Sequence, residues 1–225
     1  MDASEFLQPI DSFRSFNDFF IRKLKPEARP IASGEKTAVL PADGRYFAFE
    51  SFPEKEGVWI KGACFSLGKL LEDARLAEEY KEGPMLIARL CPVDYHRFHF
   101  PCDCIPSKPQ EIKGRLYSVN PLALKKNIHY LTKNKRVITK LSTKHFGDIL
   151  YIEIGATYVG SIRQTYLPEV PQAKGAEKGY FEFGGSCLVL LFPPESIRLD
   201  QDLVQSTKEG LEVLGRMGQS LGASY

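Results

Sequence analysis

Nine short runs rich in β-branched and aromatic residues, each bounded by Gly, Pro, Asn or Asp, set the first limit on how this chain can fold. They are Tyr46–Phe52, Met85–Leu90, Tyr95–Phe100, Glu111–Val119, Arg136–Ser142, Ile149–Ile154, Tyr158–Tyr166, Gly179–Phe183 and Cys187–Phe192. Such residues pack well on a pleated surface, and the turn formers between the runs keep each strand short. Many short strands with few helices predict an α+β fold. Its core is expected to be a mainly antiparallel β-sandwich or barrel-like body with a few short helices packed outside.

One helix is expected over residues 12–24, where Phe13, Phe16, Phe20 and Leu24 fall on one stripe and Ser12 or Ser15 caps it. Pro26 and Pro30 end it and force an extended arm to about residue 30. A second helix is expected over 66–82, opened by Ser66 and closed by Gly83-Pro84. A third spans Asp200–Met217, against the preference of its Gly210 and Gly215. With 225 residues, 43% of them hydrophobic, the chain reads as one domain over 1–225.

The 30 basic and 28 acidic residues nearly balance, which gives no electrostatic case for nucleic acid as a partner. A local excess, Lys125, Lys126, Lys133, Lys135 and Arg136, reads as a solvated face with lipid headgroups as a partner to consider. Five scattered cysteines do not form a disulfide framework and suit a reducing cytoplasm. No apolar run reaches the length of a membrane span, and the first residues lack the order of a signal peptide.

Asp94-Tyr95-His96-Arg97-Phe98-His99-Phe100-Pro101 holds two of only four histidines. In a strand, positions 96 and 99 face opposite sides. Taken alone, the pair reads as strand histidines satisfied by backbone, or as one base and one residue of a separate pocket. His96, His99, Cys102 and Cys104 are zinc ligand types, but Cys-x-Cys is tighter than structural zinc spacings, so no metal is assigned. Pro41-Ala42-Asp43-Gly44 reads as a turn, or as the source of a carboxylate that orients a histidine. Phe183-Gly184-Gly185-Ser186-Cys187 reads as a turn between strands, or as a site where the Ser186 hydroxyl attacks the Gly185 carbonyl.

Taken in order, these fragments closely resemble the phosphatidylserine decarboxylase proenzymes. The resemblance starts at Phe16-Asn17-Asp18-Phe19-Phe20, Arg22-Lys23-Leu24-Lys25-Pro26 and Arg29-Pro30-Ile31. It continues through Pro41-Ala42-Asp43-Gly44, Ile60-Lys61-Gly62, Phe65-Ser66-Leu67 with Leu70-Leu71, and Asp94–Pro101. Leu116-Tyr117-Ser118-Val119-Asn120-Pro121, Gly155–Ile162, Lys174–Gly179 and Gly185-Ser186 complete it, in one register over roughly residues 12 to 192.

The resemblance implies a self-processing triad of Asp43, His99 and Ser186. His99 takes the Ser186 proton, and Asp43 fixes the imidazole tautomer and stabilises its charge. It further implies cleavage between Gly185 and Ser186 into a β chain, 1–185, and an α chain, 186–225, with Ser186 converted to a pyruvoyl group. That covalent cofactor would form a Schiff base with phosphatidylserine and release CO2 and phosphatidylethanolamine, with His96 assisting decarboxylation or the protonation after it. A homodimer, peripheral on the cytoplasmic side of the cell membrane, is implied as well. The exposed phenylalanines of the 12–24 helix, ringed by Arg14, Arg22, Lys23 and Lys25, are the first candidate for the lipid contact.

Family members commonly read Leu-Gly-Ser-Thr at the cut, where this chain has Gly184-Gly185-Ser186-Cys187. Cys187 therefore enters as an alternative attacker. Other readings of the whole chain are a pyruvoyl decarboxylase of another amino-acid substrate, a processing-defective lipid-binding relative, and an ordinary Ser/His/Asp hydrolase.

Overall fold

Period-two alternation in one central strand, β11 (Ser186–Leu191), divides the core into two halves. The computed structural model describes residues 2–51, 66–120, 123, 127, 129–156, 161–184 and 186–225. Leu188 and Leu190 enter one buried cluster, and Cys187, Val189 and Leu191 enter the other. By the same alternation Ser186 belongs to the face of Leu188 and Leu190. Every residue of this strand is buried, which explains why it reads as an almost unbroken apolar run.

β11 lies inside an antiparallel eight-stranded sheet. Its neighbours are β3 (Met85–Leu90) and β8 (Asp148–Gly155), with Ser186 opposite Leu90 on one side and Gly155 on the other. Beyond β3 come β2 (Gly44–Phe49) and β13 (Val213–Gly215). Beyond β8 comes β7 (Arg136–Thr143), which pairs with both β5 (Cys104–Pro106) and β6 (Gln110–Ile112). Two three-stranded sheets complete the β-structure. One orders β4 (Arg97–His99), β10 (Glu177–Phe181) and β9 (Ile162–Gln164), and the other β1 (Thr37–Val39), β14 (Ser220–Ala223) and β12 (Arg198–Leu199).

The small sheets supply Phe98, Phe181, Ala38, Leu199 and Leu221 to the Leu188 face. The opposite face is covered by α2 (Leu67–Leu71), α3 (Ala74–Tyr80) and α4 (Tyr130–Lys133). The expected α+β architecture is present in its sandwich-like form. The large sheet stays open among the described residues, so no closed barrel forms.

Three helices come out shorter than the sequence suggests. The 12–24 helix contracts to α1 (Phe16–Phe20), capped by Ser15, whose Oγ accepts Asp18 N–H at 3.1 Å. The 66–82 helix keeps its Ser66 cap but breaks at Glu72, whose left-handed φ of 52° separates α2 from α3. The C-terminal helix stops as α5 (Gln201–Lys208); Gly210 turns at φ 74°, and the segment to Met217 instead contributes β13. The strand expected over Glu111–Val119 ends at Ile112, and the residues 158–160 of another lie outside the described residues.

The basic stretch is not a uniform solvated face. Arg136 is buried, and its guanidinium is fully used by the carbonyls of Leu70, Thr132, Asn134 and Lys69 and by the Glu72 carboxylate. Lys135 pairs with Glu111 at 3.1 Å, and Lys125 and Lys126 lie outside the described residues.

A buried ion pair joins the β4-β10-β9 sheet to the large one. Lys178 on β10 meets the Glu153 carboxylate on β8, Thr139 Oγ1 at 3.0 Å and Gln164 Oε1 at 2.8 Å. Burial drives the lysine down and the carboxyl up from their ordinary values, and each charge opposes the shift of the other. This rivet fixes β10, and through β10 the histidine-bearing β4.

Candidate active site

Sheet topology, rather than sequence proximity, sets where the residues singled out above lie. β4 carries His99 and pairs with β10, so that Glu177 lies opposite His99 and Tyr180 opposite Arg97. The Phe181 N–H at the end of β10 donates to the His96 carbonyl at 3.0 Å. The chain then passes through 182–185 and enters β11 at Ser186. β10 therefore ties the end of the histidine segment to the stretch of chain that leads toward Ser186.

Ser186 is fully buried, and its Oγ has no hydrogen-bond partner among the described residues. A buried hydroxyl left unpaired costs about 1–3 kcal/mol, so it calls for a chemical reason. The backbone on either side is locked differently. Downstream, six residues of β11 pair with both neighbours. Upstream, Gly184 sits at φ 142°, a region that a side chain with a Cβ rarely adopts, which suits glycine there.

Cys187 points into the opposite core, and burial pushes its thiol up to about 12. It is a poor attacker at neutral pH and is aimed away from the face that Ser186 occupies. Of the two neighbouring residues, only Ser186 lies on the face of Leu188 and Leu190.

His99 is buried with Nδ1 2.9 Å from the Gly175 carbonyl, which only accepts, so Nδ1 carries the proton. Nε2 is left as the basic nitrogen, facing Tyr95 Oη at 3.4 Å. Gly175 can serve this way because it is a glycine. Its φ is 79°, and a Cβ there would come within 2.7 Å of Ile31 Cδ1. Burial lowers the His99 pKa, opposed first by the Gly175 bond and then by the charges of Glu177 and Asp43.

Asp43 acts on His99 through space. Its hydrogen bonds go elsewhere: Arg29 Nε lies 2.9 Å from Oδ1, the Arg29 Nη2 meets Oδ2, and Met217 N–H donates to Oδ1 at 2.9 Å. The tautomer-fixing contact expected of Asp43 is made by the Gly175 carbonyl instead. Arg29 also pairs with Glu5 at 3.1 Å, which ties the N-terminal arm to this carboxylate.

His96 lies just before β4, outside the strand, and occupies different surroundings. Its Nδ1–H donates to the Asp94 carbonyl at 3.0 Å, and its ring lies 3.8 Å from that of Phe20. Nε2 is buried without a partner among the described residues. Burial drives its pKa down to about 3, so the ring is neutral at pH 7. Both histidines are therefore buried bases. The unfolded chain protonates them near 6.5 while the folded chain resists, so stability is retained above that pH and lost as pH falls below it. Each histidine is expected to steepen the loss by up to about 1.4 kcal/mol per pH unit, which urea titrations between pH 7 and 5 would measure.

Sequence reasoning did not single out Gly175 as the acceptor that orients His99, nor Arg29 and Tyr95 as partners of the site. The only signal was their presence in the matching blocks. His96, His99, Cys102 and Cys104 do not come together as a metal site among the described residues, and Cys91, Cys102, Cys104 and Cys187 are all free.

The phosphatidylserine decarboxylase family profile matches residues 16–223. The phosphatidylserine decarboxylase proenzyme of Chlamydia muridarum (strain MoPn / Nigg) is 55% identical over 221 residues, 98% of this chain and 73% of that protein. That of Chlamydia pneumoniae is 51% identical over 224 residues, 100% of this chain and 74% of that protein. That of Chlamydia trachomatis serovar L2 is 52% identical over 221 residues, 98% of this chain and 73% of that protein. Near-complete coverage at these identities establishes that the chain belongs to the phosphatidylserine decarboxylase family.

Proposed function

We propose that the chain is a self-processing phosphatidylserine decarboxylase, cut between Gly185 and Ser186 and acting through a pyruvoyl group left at residue 186. The observation that carries this reading is the buried Ser186 hydroxyl, without a partner among the described residues, directly after two glycines in a family whose Chlamydia relatives are named proenzymes.

His99 Nε2 takes the Ser186 proton as Oγ attacks the Gly185 carbonyl carbon. The imidazolium is stabilised by the Asp43 charge, while Gly175 keeps the Nδ1 proton in place. The C–N bond then breaks, the nitrogen of residue 186 recovers the proton from Nε2, and an ester replaces the peptide. Loss of the Ser186 α-proton to a base breaks the Cβ–O bond. The 1–185 chain leaves with a Gly185 carboxylate, and residue 186 becomes dehydroalanine. Water adds, ammonia leaves, and the ketone of the pyruvoyl group remains on 186–225. The new N-terminus stays in the core because β11 keeps its pairing with β3 and β8.

Once formed, that ketone supplies the electrophile for the substrate amine and the sink for the electrons released with CO2. His96 offers a neutral Nε2 in the same buried region and moves the proton of the decarboxylation half. Contact with a membrane, on its cytoplasmic side, falls to the exposed Leu7, Ile10 and Phe16, with the exposed Arg14, Lys23 and Lys25 beside them. Arg22 does not belong to that rim, since it is buried with its guanidinium 5.0 Å from the rings of Phe6 and Phe19.

The test is to incubate the purified protein with phosphatidylserine vesicles and, separately, with free serine. Equimolar CO2 and phosphatidylethanolamine from the vesicles, with free serine turned over far more slowly, is the expected result. Equal release from free serine contradicts the lipid as substrate, and vesicle binding with neither scission nor CO2 favours a processing-defective relative.

A further inference from the structure

A five-residue helix touches both halves of the site at once. Asn17, in the first turn of α1, accepts the Phe183 N–H on its Oδ1 at 2.9 Å, across 166 residues of sequence. The rings of Phe16 and Phe20 meet the Phe183 ring nearly edge-on, with centroids 4.8 and 5.3 Å away. Phe20 also stacks on His96. The helix therefore grips the loop three residues before Ser186 and roofs the histidine beside it.

Asn17 is not required by the helix. Asparagine is a weak helix former, and the N-terminus of α1 is already closed by two other bonds: Ser15 Oγ accepts from Asp18 N–H, and Asp18 Oδ2 accepts from Arg14 N–H. The side chain of Asn17 is spent instead on a distant backbone amide. That amide belongs to the last side-chain-bearing residue before the two glycines of the cut. A carbonyl that must sit against an attacking hydroxyl is the kind of group whose rate depends on how few conformations its segment samples.

We propose that Asn17 is a positioning residue for chain scission: by holding the Phe183 amide it fixes the loop that presents the cut to Ser186, and after the cut the same contacts retain the new end of the upstream chain over His96. This inference rests on the reading of Gly185–Ser186 as the scission point. It assigns a purpose to the Phe-Asn-Asp-Phe-Phe block that capping and core packing leave unexplained.

The experiment follows scission of freshly translated protein in time, by gel and intact mass, for wild type, Asn17→Leu, Asn17→Asp and Ser186→Ala. Leucine keeps the shape and removes the acceptor; aspartate keeps the acceptor. Scission is expected to slow about tenfold or more in Asn17→Leu and to stay near the wild-type rate in Asn17→Asp. Melting of Asn17→Leu in the uncut Ser186→Ala background should match that background, which separates positioning from general loss of fold. If the leucine variant does not fold, Asn17→Ser, too short to reach Phe183, is read in its place. A wild type that cuts beside an Asn17→Leu that cuts equally fast overturns this inference alone, as does an Asn17→Asp as slow as the leucine variant. A wild type that never cuts overturns the scission reading and this inference together.

Discussion

Ser186→Ala is expected to give a single, folded, inactive chain of 25.4 kDa. The substitution removes one oxygen from a fully buried position and leaves the backbone pairing of β11 with β3 and β8 untouched. That oxygen has no hydrogen bond to lose among the described residues, so stability should hold or rise by about 1 kcal/mol as an unpaired buried hydroxyl disappears. On the proposed mechanism, activity should be lost with the hydroxyl. The neighbouring Cys187 faces the other core, with a thiol pushed up to about 12. A hydrolase using Ser186 as a recurrent nucleophile would also be silenced by this change, but its wild type would never be cut. Intact mass, melting and CO2 release on the same preparation distinguish these outcomes.

The second large effect separates the two histidines. His99→Ala should block scission, because it removes the Nε2 base whose proton on Nδ1 is already committed to Gly175. His96→Ala should cut at close to the normal rate and then lose turnover by roughly 10²–10⁴-fold, the usual contribution of a positioned acid or base. The two rings sit in separate surroundings, His96 against Phe20 and His99 beside Tyr95 and Gly175, which is the physical ground for separate roles. Deleting a buried ring also leaves a cavity, so melting midpoints must accompany the rates. A folded His96→Ala that remains uncut would show that the division of labour is wrong.

Much of this was legible in the residues. Met85–Leu90 was readable as a strand to the residue, and β11 nearly so, because both are continuous apolar runs closed by turn formers. The Ser15 and Ser66 caps were readable because a cap is a local hydrogen bond. The C-terminal helix failed where Gly210 took a left-handed turn that allowed Val213–Gly215 to pair with β2, a tertiary gain that outweighs local propensity. β5, β12 and β14 escaped notice because two to four residues carry no period to read.

In the site, the chemistry-bearing side chains were visible and their supporting partners were not. Gly175 orients His99 through a carbonyl, and every residue has one; only the closeness of Ile31 and the positive φ make glycine necessary there. Arg29 holds Asp43 because the N-terminal arm folds back over residue 43, a contact no spacing announces. Asn17 resembles an ordinary helix residue until Phe183 is seen beside it.

The central claim is that this chain breaks its own backbone before Ser186. Intact-mass spectrometry of purified, active wild-type protein tests it most directly. The account predicts two chains, 1–185 and 186–225, with the second blocked to Edman degradation at its N-terminus. A single uncut chain in material that decarboxylates phosphatidylserine would contradict it.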